Sequence, residues 1–462
     1  MENEKIKAGV SRFCGILQQK TATNCDFRKE LQSMVDKGTA EYICGDNINR
    51  EELQTLFVDG FINSIYPDSS LLDADYYKQI SRYTVPVNKT VAYSAVEDQN
   101  IKINVTTLDF YFFPFDIVIF ILNTDNSGKT LAELQKQNLL VKLVNFYDGN
   151  NISSDFLELF RLPALYSGCS GLFEKACVCT GQGDDKKKCI KQIFHNIFVG
   201  NKFYLFQLEQ LENPSDDICK DGYTVNHLLY EITNYITPGA SCNPADNYCP
   251  SKEYFDTLCC ENTISVYHNW KAMGVSDSFC VLCEPSVGLP DYGQWTFQRF
   301  MIYLNVLYVK TYLVNINMKY QRMDVDAGFE KDFLEFDKLF NLHTISYNFL
   351  PQMIYEKLRY IFEVDDFSGQ VREKISRYRD RLELENDKKE RRNEKWMNNI
   401  LFVVAVLAIS SALNDGFEFA GKLGFSYTVE LAWIVSGIVA LFLLVFVVVM
   451  LLNYFINRKN KK

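Results

Sequence analysis

The sequence predicts an α+β cytoplasmic domain, then a long stalk helix, then a two-helix transmembrane hairpin at the C-terminus. Three observations predict this order. Residues 85–146 are rich in β-branched and aromatic side chains, as in IKINVTTLDFYFF and DIVIFILNT. After residue 292 apolar positions recur every three or four residues, the period of a helix. Finally, Trp396–Leu413 and Leu431–Phe455 are apolar runs of 18 and 25 residues without a charge. At about 1.5 Å per residue each can cross a hydrocarbon layer roughly 30 Å thick, the first one barely.

Taken in order, Met1–Tyr66 reads as helical, with apolar spacing in RKELQSMVDKGTAEYI and NREELQTLFVDGFINSIY. The runs TVAYSAV, IKINVTTLDFYFF, DIVIFILNT and LLVKLVNFY read as strands, with Pro114 and Phe115 placed for a tight hairpin turn. Residues 154–291 mix helix-like pieces (SSDFLELF, KKCIKQIFHNIF) with a strand-like run (NKFYLFQLEQL) and loops rich in Cys, Gly and Pro. The implied organisation is a sensor domain over 1–291, with a cysteine-rich sub-domain at 169–283. A helical bundle and stalk would follow over 292–395, the membrane domain over 396–456 and a basic tail over 457–462. The stripe Val364, Phe367, Val371, Ile375, Tyr378 and Leu382 suits helix–helix packing, and one helix running from there through Leu413 would span about 75 Å.

Charge sets the expected placement. Lys388, Lys389, Arg391, Arg392 and Lys395 precede the first run, and Arg458, Lys459, Lys461 and Lys462 follow the second. The connection between them holds Asp415, Glu418 and Glu430 against Lys422 alone. Positive flanks stay inside, so the expectation is an inner (plasma) membrane protein with both termini cytoplasmic and lipid as a partner. The N-terminal residues carry charge and no apolar stretch of signal-peptide type. With 58 acidic against 48 basic residues the chain is no general nucleic-acid binder, although a small anionic ligand remains compatible with local charge.

Eleven of the 14 cysteines lie between Cys169 and Cys283. A reducing compartment argues against a disulfide framework and leaves metal ligation or plain core thiols. Cys280 and Cys283 form a CxxC, and Cys259 and Cys260 supply two further thiols that would complete a structural zinc site. His195, His227, His268 and His343 are scattered and read as structural.

A large α/β body, a stalk helix, two terminal spans and a basic tail resemble the CorA family of cation channels. The family's Gly-Met-Asn motif is replaced here by Ala412-Leu413-Asn414, of which only Asn414 carries over, so magnesium selectivity is put in doubt. The run LDFYFFPFDIVIFIL is similar to a strand pair of divergent CorA-like proteins, the membrane effectors of type III CRISPR systems. The resemblance implies a homo-oligomer, a pentamer by analogy. It also implies an antiviral role in which a nucleotide messenger made from S-adenosylmethionine and AMP binds the body and opens the channel. Independently of family, Asn399, Val403, Val406, Ser410 and Asn414 share one helix face and would line a pore, with Asp415 and Glu418 at its outer mouth. Ala405, Ala408 and Ala412 lie on another face, where neighbouring helices approach closely.

An enzyme is not expected. SGKT at Ser127–Thr130 lacks the P-loop's first glycine, since Asn123 stands in its place, and HExxH, GxSxG and GxGxxG are absent. Two other classes compete with the ligand-gated channel. One is a magnesium-type transporter regulated by intracellular metal at Asp324, Asp326, Asp365 and Asp366; the other is a non-conducting tethered sensor.

Overall fold

A computed structural model describes residues 3–18, 25–71, 76–93, 101–144, 152–161, 184–215, 219, 222–321 and 329–424, with isolated positions between 431 and 445. The chain divides into two units, Met1–Arg372 and Glu373–Lys462.

The first unit is built on one nine-stranded sheet. Its strands are β1 (Ile6–Leu17), β2 (Glu41–Ile43), β3 (Ser81–Ala92), β4 (Lys102–Phe113), β5 (Ile117–Asp125), β6 (Phe198–Leu211), β7 (Thr263–Ile264), β8 (Trp270–Val275) and β9 (Ser278–Cys283). They lie in the order β2-β3-β4-β5-β1-β6-β9-β8-β7. Every neighbouring pair is antiparallel except β6 and β9, which run parallel.

The central strand overturns the first expectation. Residues 6–17 are not helical; they form β1, flanked by β5 and β6. The signal is obscured by Gly9 and Gly15, which sequence reading scores as breakers. Both are required by close approach: a Cβ on Gly9 would sit 1.9 Å from Glu209 Oε2, and one on Gly15 would sit 2.7 Å from the Phe198 ring. The hairpin expected at Pro114–Phe115 is present, with Phe113 paired to Ile117 and positive φ at Phe115 (62°) and Asp116 (59°). Two left-handed residues in a row give the turn the twist that adjoining strands need.

Helices cover both faces. On the first face, α1 (Cys25–Asp36), α4 (Leu131–Lys142), α5 (Ser154–Glu158) and α6 (Asp184–Ile197) bury Phe27, Val141, Phe156 and Phe194 against Phe13, Phe110, Phe120 and Leu205. The short helices α2 (Arg50–Gln54) and α3 (Asp59–Asn63) lie between α1 and β3 in the chain. Further along the same face, α7 (Val225–Asn234) and α8 (Lys252–Asn262) join Leu131, Leu134, Leu211 and Leu282 in a second apolar cluster. Residues 139–142 of the expected strand LLVKLVNFY are instead the end of α4, because Thr130 and Glu133 form a capping box that starts a helix at Leu131; residues 145–147 of that run lie outside the described residues.

The second face carries α9 (Leu289–Gln294), a π-helical turn at Trp295–Arg299 and α10 (Phe300–Gln321). Phe113 stacks on Tyr308 at 4.3 Å, and Phe206 meets Phe300 at 5.2 Å and Tyr303 at 5.3 Å. α10 is buried continuously from Phe300 to Leu313, which explains why its apolar residues do not confine themselves to one stripe. The chain then passes through α11 (Phe329–Leu339) and α12 (Phe349–Ile361) into α13 (Val364–Lys422). Val364, Val371 and Ile375 of the expected stripe are buried, and Gly369 does not interrupt the helix.

Among the described residues no helix is long and apolar enough to cross a membrane. The expected transmembrane hairpin, the CorA-like architecture, the ion channel and the plasma-membrane placement with cytoplasmic termini are therefore corrected. α13 is one helix of 59 residues whose course is dominated by charge before Trp396. Asp415, Glu418 and Lys422, expected in a loop between spans, belong to this same helix. The second apolar run, Leu431–Phe455, lies outside the described residues apart from isolated positions between 431 and 445, each of which is helical.

Candidate anion site on the sheet

Strand register assembles a polar row across four adjacent strands of the second face. Arg12 of β1 lies opposite Asn123 of β5, which lies opposite Thr107 of β4. One step along β4, Asp109 lies opposite Thr84 of β3, and Tyr111 lies opposite Arg82. Directly paired residues point to the same side of a sheet, so these groups share one face.

Hydrogen bonds tie one end of the row together. Arg82 Nη2 meets Asp109 Oδ2 at 3.2 Å and Nη1 donates to the Tyr66 hydroxyl at 2.8 Å. Asn123 Nδ2 donates to Asp109 Oδ2 at 3.1 Å and to Thr107 Oγ1 at 2.9 Å. The Arg82 guanidinium also lies 4.9 Å from the centre of the Tyr111 ring. Burial opposes the Arg82 cation, yet Tyr111, Tyr66 and Asp109 together hold its pKa above the ordinary arginine value.

Arg12 stands at the other end and differs. Its guanidinium lies 4.0 Å over the Phe300 ring of α10, and its side chain makes no hydrogen bond or ion pair with any described residue. Burial pulls its pKa down, with Tyr111 and Asp109 acting in the opposite sense. An arginine does not give up its proton in a protein, so the cation stays in place. Arg12 Nε, Arg82 Nε, Asp109 Oδ1 and Thr84 Oγ1 are all buried without a partner. Each such atom costs about 1–3 kcal/mol unless something fills its bonding capacity. The row thus holds two guanidinium groups against one carboxylate. The Arg82 side chain is 16% exposed, which leaves the charged end reachable from solvent.

A second polar seam lies on the first face, between the two apolar clusters. Ser11 Oγ donates to Asn138 Oδ1 (3.0 Å), whose Nδ2 donates to Gln207 Oε1 (2.7 Å). Asn126 Nδ2 donates to Ser11 Oγ and to Glu209 Oε1, both at 2.8 Å, and Gln137 Nε2 donates to Asn126 Oδ1 at 2.9 Å. Lys129 donates to Gln137 Oε1. Burial drives the Glu209 pKa well above the ordinary carboxylate value, with the Asn126 hydrogen bond and Lys129 acting in the opposite sense. Ser127–Thr130 lies just before α4, where Thr130 and Glu133 cap the helix and Lys129 turns inward to Gln137.

The residues singled out from sequence fall elsewhere. On α13, Asn399, Val403 and Val406 are half-buried while Leu401, Phe402 and Val404 are exposed, and the side chains of Ser410 and Asn414 lie outside the described set. Asp415 is exposed and Glu418 pairs with Lys422 at 3.0 Å along the helix. Asp365 pairs with Arg359; Asp366 lines a small cavity beside it, and Asp324 and Asp326 are outside the described residues. The four cysteines proposed for zinc are not brought together as a ligand set. Cys280 and Cys283 sit three apart in β9, so their side chains leave opposite faces of the sheet. Cys259 and Cys260 are neighbours on α8, the first against the core and the second exposed. Among the described residues no group of three or more His, Cys, Asp or Glu side chains is arranged to hold a metal ion, magnesium included. Cys169, Cys177 and Cys179 lie outside them.

Comparison with known proteins adds no relative: no family model matches the chain, and neither a curated protein nor a solved structure does. The likeness to CorA channels and to CRISPR effectors is therefore withdrawn. Arg12 and Arg82 were not singled out from sequence. The available signal was a lone arginine within each of two strands, each a charge placed where one face of a sheet is buried.

Proposed function

We propose that Met1–Arg372 is a binding module for a small ligand carrying a carboxylate or phosphate group, and that Arg12 and Arg82 recognise that group. The observation that supports this reading is Arg12, a half-buried side chain whose guanidinium lies over Phe300 and whose Nε is buried without a partner. A planar fork with five donors matches two oxygens of an oxyanion, and such charge-assisted pairs are about twice as strong as neutral ones. One added negative charge would balance the row, which has two cations and the single anion Asp109. The row contains no activated nucleophile, and the reading assigns binding without a reaction.

The test is thermal unfolding of the full chain with inorganic phosphate, acetate and citrate at constant ionic strength. At least one anion should raise the melting temperature of the wild type and fail to raise that of Arg12→Met. A competing structural reading rests on the 4.0 Å contact with Phe300, in which Arg12 only fastens α10 to the sheet. That reading wins if no anion shifts the wild type beyond the general salt effect, or if Arg12→Met responds equally.

Self-association belongs to the same proposal, in keeping with the expectation of a homo-oligomer. It draws support from Trp396, Met397, Leu401, Phe402, Leu407 and Ile409, which α13 leaves exposed. Light scattering of the purified chain at rising concentration tests it; a mass that stays at 53.5 kDa throughout would exclude it.

A further inference from the structure

The loop that joins α7 to α8 is folded by its own hydrogen bonds. Glu231 of α7 is buried, and its carboxylate accepts from the Tyr223 hydroxyl (2.6 Å), the Gly239 N–H (3.0 Å), the Ser241 N–H (2.9 Å) and the Ser241 hydroxyl (2.6 Å). Beyond that anchor, Asn243 Oδ1 accepts from the Ala245 N–H at 3.2 Å and Asp246 Oδ1 from the Tyr248 N–H at 2.8 Å. Backbone turns join Asp246 to Asn243 and Cys249 to Asp246. The chain therefore doubles back, and Cys249 Sγ arrives 3.3 Å from the Ser241 carbonyl oxygen. In a planar trans peptide that oxygen lies about 2.8 Å from the next Cα, so the Cys249 sulfur sits within about 6 Å of the Cys242 Cα. At that range rotation about the χ1 bonds, with slight backbone adjustment, brings the sulfurs to the ~2.05 Å of a disulfide.

Access and position both suit such a bond. Cys242 is exposed and Cys249 half-buried, so a small oxidant meets the first thiol and the second stands behind it. Burial raises the Cys242 pKa, with Glu231 and Cys249 adding to it and a Ser241 hydrogen bond opposing. A disfavoured thiolate makes the corresponding disulfide harder to reduce. The loop ends at Ser251, whose side chain caps α8. The far end of α8 is tied down, since Lys357 Nζ donates to the Glu261 carbonyl (2.5 Å), the Tyr360 hydroxyl to Glu261 Oε2 (2.9 Å) and Asn262 Nδ2 to the Gly274 carbonyl (2.8 Å). Nearer the loop, Phe255 alone is buried among the described residues of α8. The loop is thus the remaining hold on that end.

We infer that Cys242 and Cys249 are a reversible thiol–disulfide pair that fastens the N-terminal end of α8, with a small-molecule disulfide as oxidant. The Cys242 thiolate attacks one sulfur of oxidised glutathione and expels a glutathione thiolate; the Cys249 thiolate then attacks the Cys242 sulfur and expels the second. Two protein thiols are oxidised, one disulfide is reduced to two thiols, and the two cysteine protons end on the released glutathione. The pair is independent of Arg12 and Arg82. The test equilibrates the full chain, native and in urea, with a fixed mixture of reduced and oxidised glutathione, then alkylates it and digests it with trypsin. Residues 221–252 form one tryptic peptide that holds these two cysteines and no other. The native chain should give this peptide unalkylated and lighter by two hydrogen atoms. Its ratio of closed peptide to mixed disulfide should exceed that in urea at least about tenfold. Cys249→Ser should stop at the glutathione mixed disulfide on Cys242. Oxidation should slow chymotryptic cleavage after Tyr254 of α8 at least about fivefold in the wild type and leave Cys242→Ser unchanged. A doubly alkylated peptide, a bond from Cys242 to Cys219 instead, equal closure in urea, or cleavage that oxidation does not slow would each overturn the inference.

Discussion

The two faces of the sheet bury polar groups in opposite ways. On the first face an amide and hydroxyl seam closes largely upon itself, from Ser11 through Asn138 to Gln207 and from Asn126 to Gln137. Burial raises the pKa of its carboxyl, Glu209. On the second face the row keeps its charges, two arginines and one aspartate, and leaves Arg12 without a hydrogen-bond partner among the described residues. Closed neutral networks specify a fold, whereas an open charged one costs stability and is retained where something binds. Both faces keep buried polar atoms without a partner, Gln207 Nε2 and Glu209 Oε2 on the first and Arg12 Nε, Arg82 Nε and Asp109 Oδ1 on the second; what separates them is the charge that the second carries.

The contrast can be broken most forcefully at Arg82. Replacing it by Met strands the Asp109 carboxylate in the core and should cost about 3–5 kcal/mol in denaturant unfolding. A cost below about 1 kcal/mol would mean that the row is wetter than the geometry indicates. Next in size is Gly9→Ala on the opposite face, where the new Cβ meets Glu209 Oε2. We expect a loss of about 1–3 kcal/mol, largely recovered in the double variant with Glu209→Ala. An additive double variant would show that the two residues do not meet.

Titration separates the faces further. Burial lowers the Lys129 and Lys142 pKa values to about 8, each to a net extent that its carboxylate neighbours, Glu209 for one and Asp277 for the other, only partly offset. Unfolded lysine titrates near about 10.4. Between about pH 8 and 10 the folded chain therefore binds fewer protons than the unfolded chain, and stability rises with pH through that window. Lys129→Met should flatten part of the rise, and a wild-type stability that falls from pH 8 to 9.5 would contradict the assignment. The smallest effect is expected at Glu209→Gln. Its raised pKa means that folding is disfavoured as pH climbs above about 4.5, so the amide should match or exceed the wild type at pH 7 by about 1 kcal/mol at most.

Much of the sheet was readable because its signals were local. The β4–β5 hairpin announced itself by Pro114–Phe115 between two apolar runs, and β6 by NKFYLFQLEQL. β1 was hidden since its glycines answer to Glu209 and Phe198, residues that no local window includes. The arginine row was illegible for the same reason: Arg12 acquires its meaning from register with Asn123 on a strand far along the chain. The C-terminal runs show the converse failure, in which local apolarity suggested two spans and the described helix α13 did not supply a hairpin.

The place of β1 in the sheet also bears on synthesis. β1 is the first element in the chain but the fifth strand of nine in the sheet, and its two partners are complete only after Asp125 and Leu211 have been made. At about 5–20 residues per second, ribosomes need roughly 10–40 s between finishing β1 and finishing β6. Until Asp125 is made, a 12-residue strand carrying Phe13, Ile16 and Leu17 has both edges open, and from then until Leu211 is made the β6 edge stays open. Slowing translation between residues 18 and 211 should therefore raise the demand for chaperones more than slowing it anywhere downstream.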